Sequence, residues 1–145
     1  MHALLLMVLA MSQPVDAIED DDGPRIIRPF PNSPQEQLVT TPVFESSLYG
    51  GRGRGGTFGL GLKMMRHTPH PKFRGLILRR TIPELADLID KCNELYLNDK
   101  RVRFNMTEKR YYFPSGANIW LSALERHEDW RRFQGHNLCA LAFEE

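Results

Sequence analysis

The chain has 145 residues, enough for one domain with its own core, and its 41% hydrophobic and 26% charged residues are the balance of an ordinary soluble domain. Its net charge of +1 conceals an asymmetry: residues 1–48 carry 2 basic and 7 acidic side chains, and residues 49–145 carry 17 basic and 11 acidic. The basic part suits polyphosphate or nucleic acid, although an excess of six is also what an ordinary solvated surface carries. Cys92 and Cys139 share no ligand spacing with each other or with histidine, so no zinc site is expected. Cys139, inside an apolar run, is expected to be buried in a strand.

Met1 to Met11 is apolar but shorter than the ~20 residues that span a bilayer. It has the length of a signal-peptide core, yet no Lys or Arg precedes it and no small-x-small site follows, which argues against secretion. The acidic run Glu19-Asp20-Asp21-Asp22 and five prolines between residues 12 and 34 argue against packed structure there. Residues 1–33 therefore read as an apolar leader and acidic, proline-rich linker, and residues 34–145 as the folded domain.

Gln35 to Thr40 is expected to be a short helix with Ser33 as N-cap and Pro34 at its first position. Val43 to Tyr49 reads as a strand leading into Gly50-Gly51-Arg52-Gly53-Arg54-Gly55-Gly56-Thr57. Phe58 to His67 has helical spacing, weakened by Gly59 and Gly61 at about 1 kcal/mol each against alanine. Thr68-Pro69-His70-Pro71 breaks the chain. Gly75 to Leu78, ahead of Arg79 and Arg80, is a fully apolar run of the kind buried on both faces in parallel sheets. A helix begins near Thr81-Ile82-Pro83-Glu84, and Leu85, Leu88, Ile89, Cys92 and Leu95 form its apolar stripe. Residues 101–105, 109–113 and 118–124 read as strands that include a hairpin, with a turn at Pro114-Ser115-Gly116-Ala117. His127 to Phe133 is a short helix or turn, and Leu138 to Phe143 is a last apolar strand. This alternation predicts an α/β layered domain with a mostly parallel central sheet.

Two segments carry chemistry. The phosphate-cradling pattern G-x-x-x-x-G-K-[ST] needs glycines so that backbone N–H groups can wrap phosphates at a helix start. Gly50 and Gly55 fall on its glycines and Thr57 on its hydroxyl, but Gly56 stands where the lysine belongs. Thr57 is a candidate Mg²⁺ ligand, and Arg52 and Arg54 offer charge from within the loop. Taken alone, the segment fits an RGG-like nucleic-acid-binding tract equally well. The second segment is the terminal strand ending in Glu144-Glu145, which has the Walker B form: one acid for the Mg²⁺ shell, one to polarise the attacking water. His67, His127 and His136 share no metal spacing, and Trp120 and Trp130 read as packing residues; Arg79 and Arg80 stand at a strand's carboxyl end, where α/β sheets bind ligands, but read first as solvated or structural charges. No hydrolase triad has local context.

With these motifs in order, Gln35 to Glu145 resembles the ATPase domain of the large terminase subunits of tailed bacteriophages and prophages, the motors that drive DNA into capsids. The resemblance rests on Pro34-Gln35-Glu36 with Leu38 and Thr41-Pro42, on Tyr49-Gly50-Gly51-Arg52-Gly53, and on Phe73-Arg74-Gly75-Leu76-Ile77-Leu78-Arg79-Arg80-Thr81 with Pro83-Glu84-Leu85. It extends through Phe113-Pro114-Ser115-Gly116-Ala117 and from Phe133-Gln134-Gly135-His136 to Ala142-Phe143-Glu144-Glu145, about three quarters of the chain. It implies a P-loop NTPase fold and ATP with Mg²⁺ as ligands. It also implies roles: Gln35 on adenine, Gly50, Gly51, Gly53, Gly55, Gly56 and Thr57 around phosphate, Arg52 or Arg54 on γ-phosphate charge. Thr57 and Glu144 would hold Mg²⁺, and Glu145 would be the catalytic glutamate. Double-stranded DNA, a portal and a small terminase subunit are the implied partners, in the host cytoplasm and away from membranes.

The departures are Gly56 for lysine, Glu144 for aspartate, and the absence after Glu145 of the family's coupling motif, further strands and nuclease domain. The expectation is therefore a terminase-like ATPase fragment, incomplete at its carboxyl end. The alternative is an inactive prophage remnant that at most binds nucleotide or nucleic acid.

Overall fold

A computed structural model describes residues 27–43, 45, 46 and 55–144. The first helix, α1 (Pro34–Thr40), starts as its sequence requires: Ser33 Oγ accepts from Glu36 N at 3.2 Å, and Pro34 needs no N–H partner at the first position. The strand expected over 43–49 is not found where it can be followed, since Val43, Glu45 and Ser46 lie outside any strand; Phe44 and residues 47–49 fall outside the described residues.

Helix α2 (Gly56–Met65) begins two residues earlier than its side-chain spacing suggests, directly behind Gly55, whose φ of 73° is the left-handed conformation that favours glycine. Gly61 has a packing role: a Cβ there would lie 2.6 Å from Leu95 Cδ2, and Tyr96 Oη donates to Gly61 O at 2.9 Å. The glycine that weakens α2 in isolation lets α3 (Ile82–Tyr96) lie against it. Helix α3 is capped by Thr81 Oγ1, which accepts from Glu84 N at 3.4 Å, and its predicted stripe of Leu85, Leu88, Ile89, Cys92 and Leu95 is buried.

The strands are β1 (Arg74–Arg79), β2 (Arg103–Asn105), β3 (Arg110–Tyr112), β4 (Asn118–Ala123) and β5 (Ala140–Glu144), in the order β2-β3-β4-β1-β5. The domain is α/β, but the expected mostly parallel sheet is corrected to a mixed one. β1 runs parallel to β4 and β5, while β3 is antiparallel to both β2 and β4. Two short links, 106–109 and 113–117, make this half a meander, and short links permit only antiparallel neighbours.

Side chains alternate across the sheet. Ile77, Ile119, Leu121, Tyr111 and Ala142 face the helices and join Leu60, Leu62, Leu88, Cys92 and Tyr96 in one core. Leu76 and Leu78 take the other face, partnered across the strands by Trp120, Ser122, Leu141 and Phe143. There Trp120 packs edge-on against Phe133 of the 3-10 helix at 127–133, and lies under the Arg110 guanidinium at 4.9 Å.

Two burial expectations are corrected: Cys139 precedes β5 and is exposed, and Trp130 is 45% exposed. On β5, Leu141 and Phe143 are more than half exposed. Among the described residues, no helix is long and apolar enough to cross a membrane.

Candidate functional site

The β1–β5 register sets Arg79 opposite Glu144. Both lie two residues beyond core-facing positions, Ile77 and Ala142, so both point to the helix side of the sheet. At this carboxyl end of the parallel strands, α2 begins, and Thr57 in its first turn is buried. Thr57 Oγ1 donates to Glu144 Oε1 across 87 residues of sequence. Arg79 grips the same carboxylate with both arms, Nε to Oε2 and Nη2 to Oε1, each at 3.0 Å. Lys91, on the exposed flank of α3, reaches Thr57 Oγ1 with its Nζ at 3.5 Å.

The electrostatics are those of a nearly dry ion pair. The side chains of Arg79 and Glu144 are 11% and 5% exposed. Burial pushes the Glu144 carboxyl above its ordinary pKa, against the opposing pull of the Thr57 hydroxyl, Arg79 and Lys91. One carboxylate facing two cations at a helix start leaves a local excess of positive charge, to which the amino end of α2 adds its dipole. Helix α2 has no side-chain cap, so its first N–H groups are not committed to a protein side chain.

The other sequence candidates are placed less closely. Gln35 is buried on α1, with its Oε1 lacking a hydrogen-bond partner among the described residues. Lys63 Nζ donates to Leu38 O at 3.0 Å and Arg66 Nη1 to Val39 O at 2.6 Å, tying the end of α1 to α2. Gly55 and Gly56 form the start of α2. Gly50, Gly51, Arg52, Gly53, Arg54 and Glu145 lie outside the described residues. The Thr57 hydroxyl and Glu144 carboxylate are hard oxygen donors of the kind Mg²⁺ takes, but here Arg79 occupies both carboxylate oxygens. Among the described residues, no group of three or more His, Cys, Asp or Glu side chains is placed to hold a metal.

Sequence reading placed Arg79 at the ligand-binding end of its strand but not beside Glu144, and it missed Lys91. The available signal for Arg79 was its even spacing from Ile77, but its partner could be known only from the register. Lys91 sits one residue before the buried Cys92, which places it at the margin of the stripe. A separate cavity of about 180 Å³, lined by Arg74, Arg110, Asn118, Trp120 and His136, lies at the opposite end of the parallel strands and shares no residue with this cluster.

No family model, no curated protein and no solved structure matches this chain.

Proposed function

We propose that this chain is a P-loop-type nucleotide-binding domain of the terminase large-subunit kind, which takes ATP with Mg²⁺ at the start of α2. The observation that carries this reading is the hydrogen bond between Thr57 and Glu144. The hydroxyl of the phosphate-loop pattern and the acid of the Walker B pattern, 87 residues apart, meet at the carboxyl end of the parallel strands, where α/β proteins bind ligands.

In this reading the N–H groups at the start of α2 receive phosphate oxygens, and the loop glycines allow the close approach. Mg²⁺ would be held by Thr57 and Glu144, and would neutralise charge on the phosphates. Gln35 Oε1, buried without a partner among the described residues, accepts from the adenine amino group. Glu145 orients the water for in-line attack on the γ-phosphorus, and Arg52 or Arg54 stabilises the developing charge. Packaging of double-stranded DNA with a portal and a small subunit belongs to the same proposal, in the host cytoplasm. Gly56 favours a second reading of the same site, binding without appreciable turnover, because a cation on the β/γ-phosphates typically contributes a few kcal/mol to the transition state.

Titration of the 145-residue chain with fluorescent mant-ATP in Mg²⁺ tests the binding. Saturable binding that excess ATP displaces, and that Thr57→Val weakens, is expected. A folded chain that leaves the fluorescence unchanged refutes both readings. If binding is present, phosphate release separates the ATPase from the inactive binder.

A further inference from the structure

The phosphate-loop pattern places a lysine immediately before its hydroxyl residue, and here that position is Gly56. A side chain is therefore missing from the loop, while Thr57 keeps its place beside Glu144. A lysine does stand beside Thr57, supplied by another helix: Lys91 of α3, with its Nζ 3.5 Å from Thr57 Oγ1. An ammonium has three donors, and among the described residues Lys91 directs its one hydrogen bond to Thr57. Its flank of α3 is exposed, so the remaining donors face solvent at the start of α2. The acid in the cluster is already held by Arg79, which leaves the Lys91 charge available to an anion.

We propose that Lys91 is the phosphate-binding lysine of this site, contributed from α3 of the same chain to the β/γ-phosphates of a nucleoside triphosphate in place of the residue absent at Gly56. The proposal rests on the nucleotide-binding reading and adds to it the residue that makes the site workable. The geometry has a local cause. Gly61 brings α3 close to α2, and Leu95 and Tyr96 lock the two helices one turn further along, so Lys91 projects past the first turn of α2 rather than away from it.

The test compares mant-ATP affinity in Mg²⁺ for the natural chain, Lys91→Ala, and Lys91→Ala with Gly56→Lys. A lost charge-assisted hydrogen bond corresponds to a fall of roughly 10- to 100-fold in affinity. Lys91→Ala is expected to show that fall with an unchanged far-UV circular dichroism spectrum, and Gly56→Lys is expected to recover most of it. Affinity within twofold of the natural chain in Lys91→Ala overturns the assignment and leaves the nucleotide reading standing. A fall that Gly56→Lys does not repair also overturns it, because Lys91 would then act by holding Thr57 rather than phosphate. A natural chain that binds no mant-ATP overturns the nucleotide reading and this assignment together.

Discussion

Replacing Arg79 by leucine would strand the Glu144 carboxylate in a site where its side chain is 5% exposed. The guanidinium supplies two hydrogen bonds of 3.0 Å, one to each oxygen. Removing one member of a buried pair costs about 3–5 kcal/mol, because the remaining charge keeps its desolvation penalty. Thr57 and Lys91 remain beside Glu144, which puts the expected loss for Arg79→Leu near 3 kcal/mol at pH 7.5, at the lower end of that range.

The loss should depend on pH with a definite sign. Burial already raises the Glu144 pKa, and removing Arg79 removes one of the pulls that oppose the rise. A carboxyl with a folded-state pKa above its unfolded value of about 4.3 contributes stability that is fully present below the unfolded value and is lost as pH rises through the folded one. The Arg79→Leu deficit should therefore be largest at pH 7.5 and shrink as pH falls towards 5. Pairing Arg79→Leu with Glu144→Leu removes both charges, and should be less destabilising than either change alone. Urea denaturation followed by circular dichroism gives all four stabilities. Deficits below about 1 kcal/mol that simply add, with no pH dependence, would refute the buried-pair argument and place the two groups in the class of exposed ion pairs.

Other outcomes follow from the same packing. Gly61→Ala gains about 1 kcal/mol of helix propensity but presses a methyl 2.6 Å from Leu95 Cδ2, and overpacking of ~1–3 kcal/mol should win; a urea midpoint above that of the natural chain would contradict this. Tyr96→Phe deletes the buried bond to Gly61 O, and a loss of about 1 kcal/mol is expected in the same assay. Ellman's reagent should label one thiol, Cys139, in the native chain, and the second, Cys92, only in urea. Burial holds the Cys92 thiol well above its ordinary pKa, so stability should decline once the pH exceeds about 8.5, by up to ~1.4 kcal/mol per unit, and Cys92→Ala should flatten that decline.

Much of the fold was legible because local chemistry and tertiary packing agree. Ser33 with Pro34, Thr81 with Pro83, and the stripe from Leu85 to Leu95 each specify a helix by capping and period, and each helix forms there. What failed depended on neighbours. The meander from β2 to β4 was read in part as a hairpin, but its consequence for the whole sheet depends on which strand lies beside β4. Leu138 to Phe143 is an apolar run, yet Leu141 and Phe143 point to the sheet face away from the helices and are more than half exposed. In the candidate site, Thr57 and Glu144 carried motif signals, whereas Arg79 and Lys91 joined them only through the β1–β5 register and the α2–α3 contact. Gly61 is the plainest case: a helix-weakening residue by propensity is what the close approach of α3 requires.

The proposed ATP site, where α2 begins against the end of β5, can be read residue by residue by amide NMR of the ¹⁵N-labelled 145-residue chain titrated with the slowly hydrolysed analogue Mg-ATPγS. Saturable shifts concentrated at Gly55, Gly56, Thr57 and Phe58, with Arg79 and Glu144 moving in the same concentration range, are the predicted result. A well-dispersed spectrum in which these amides stay fixed, whether nothing moves or only the cavity around Arg110 and Trp120 responds, would contradict it.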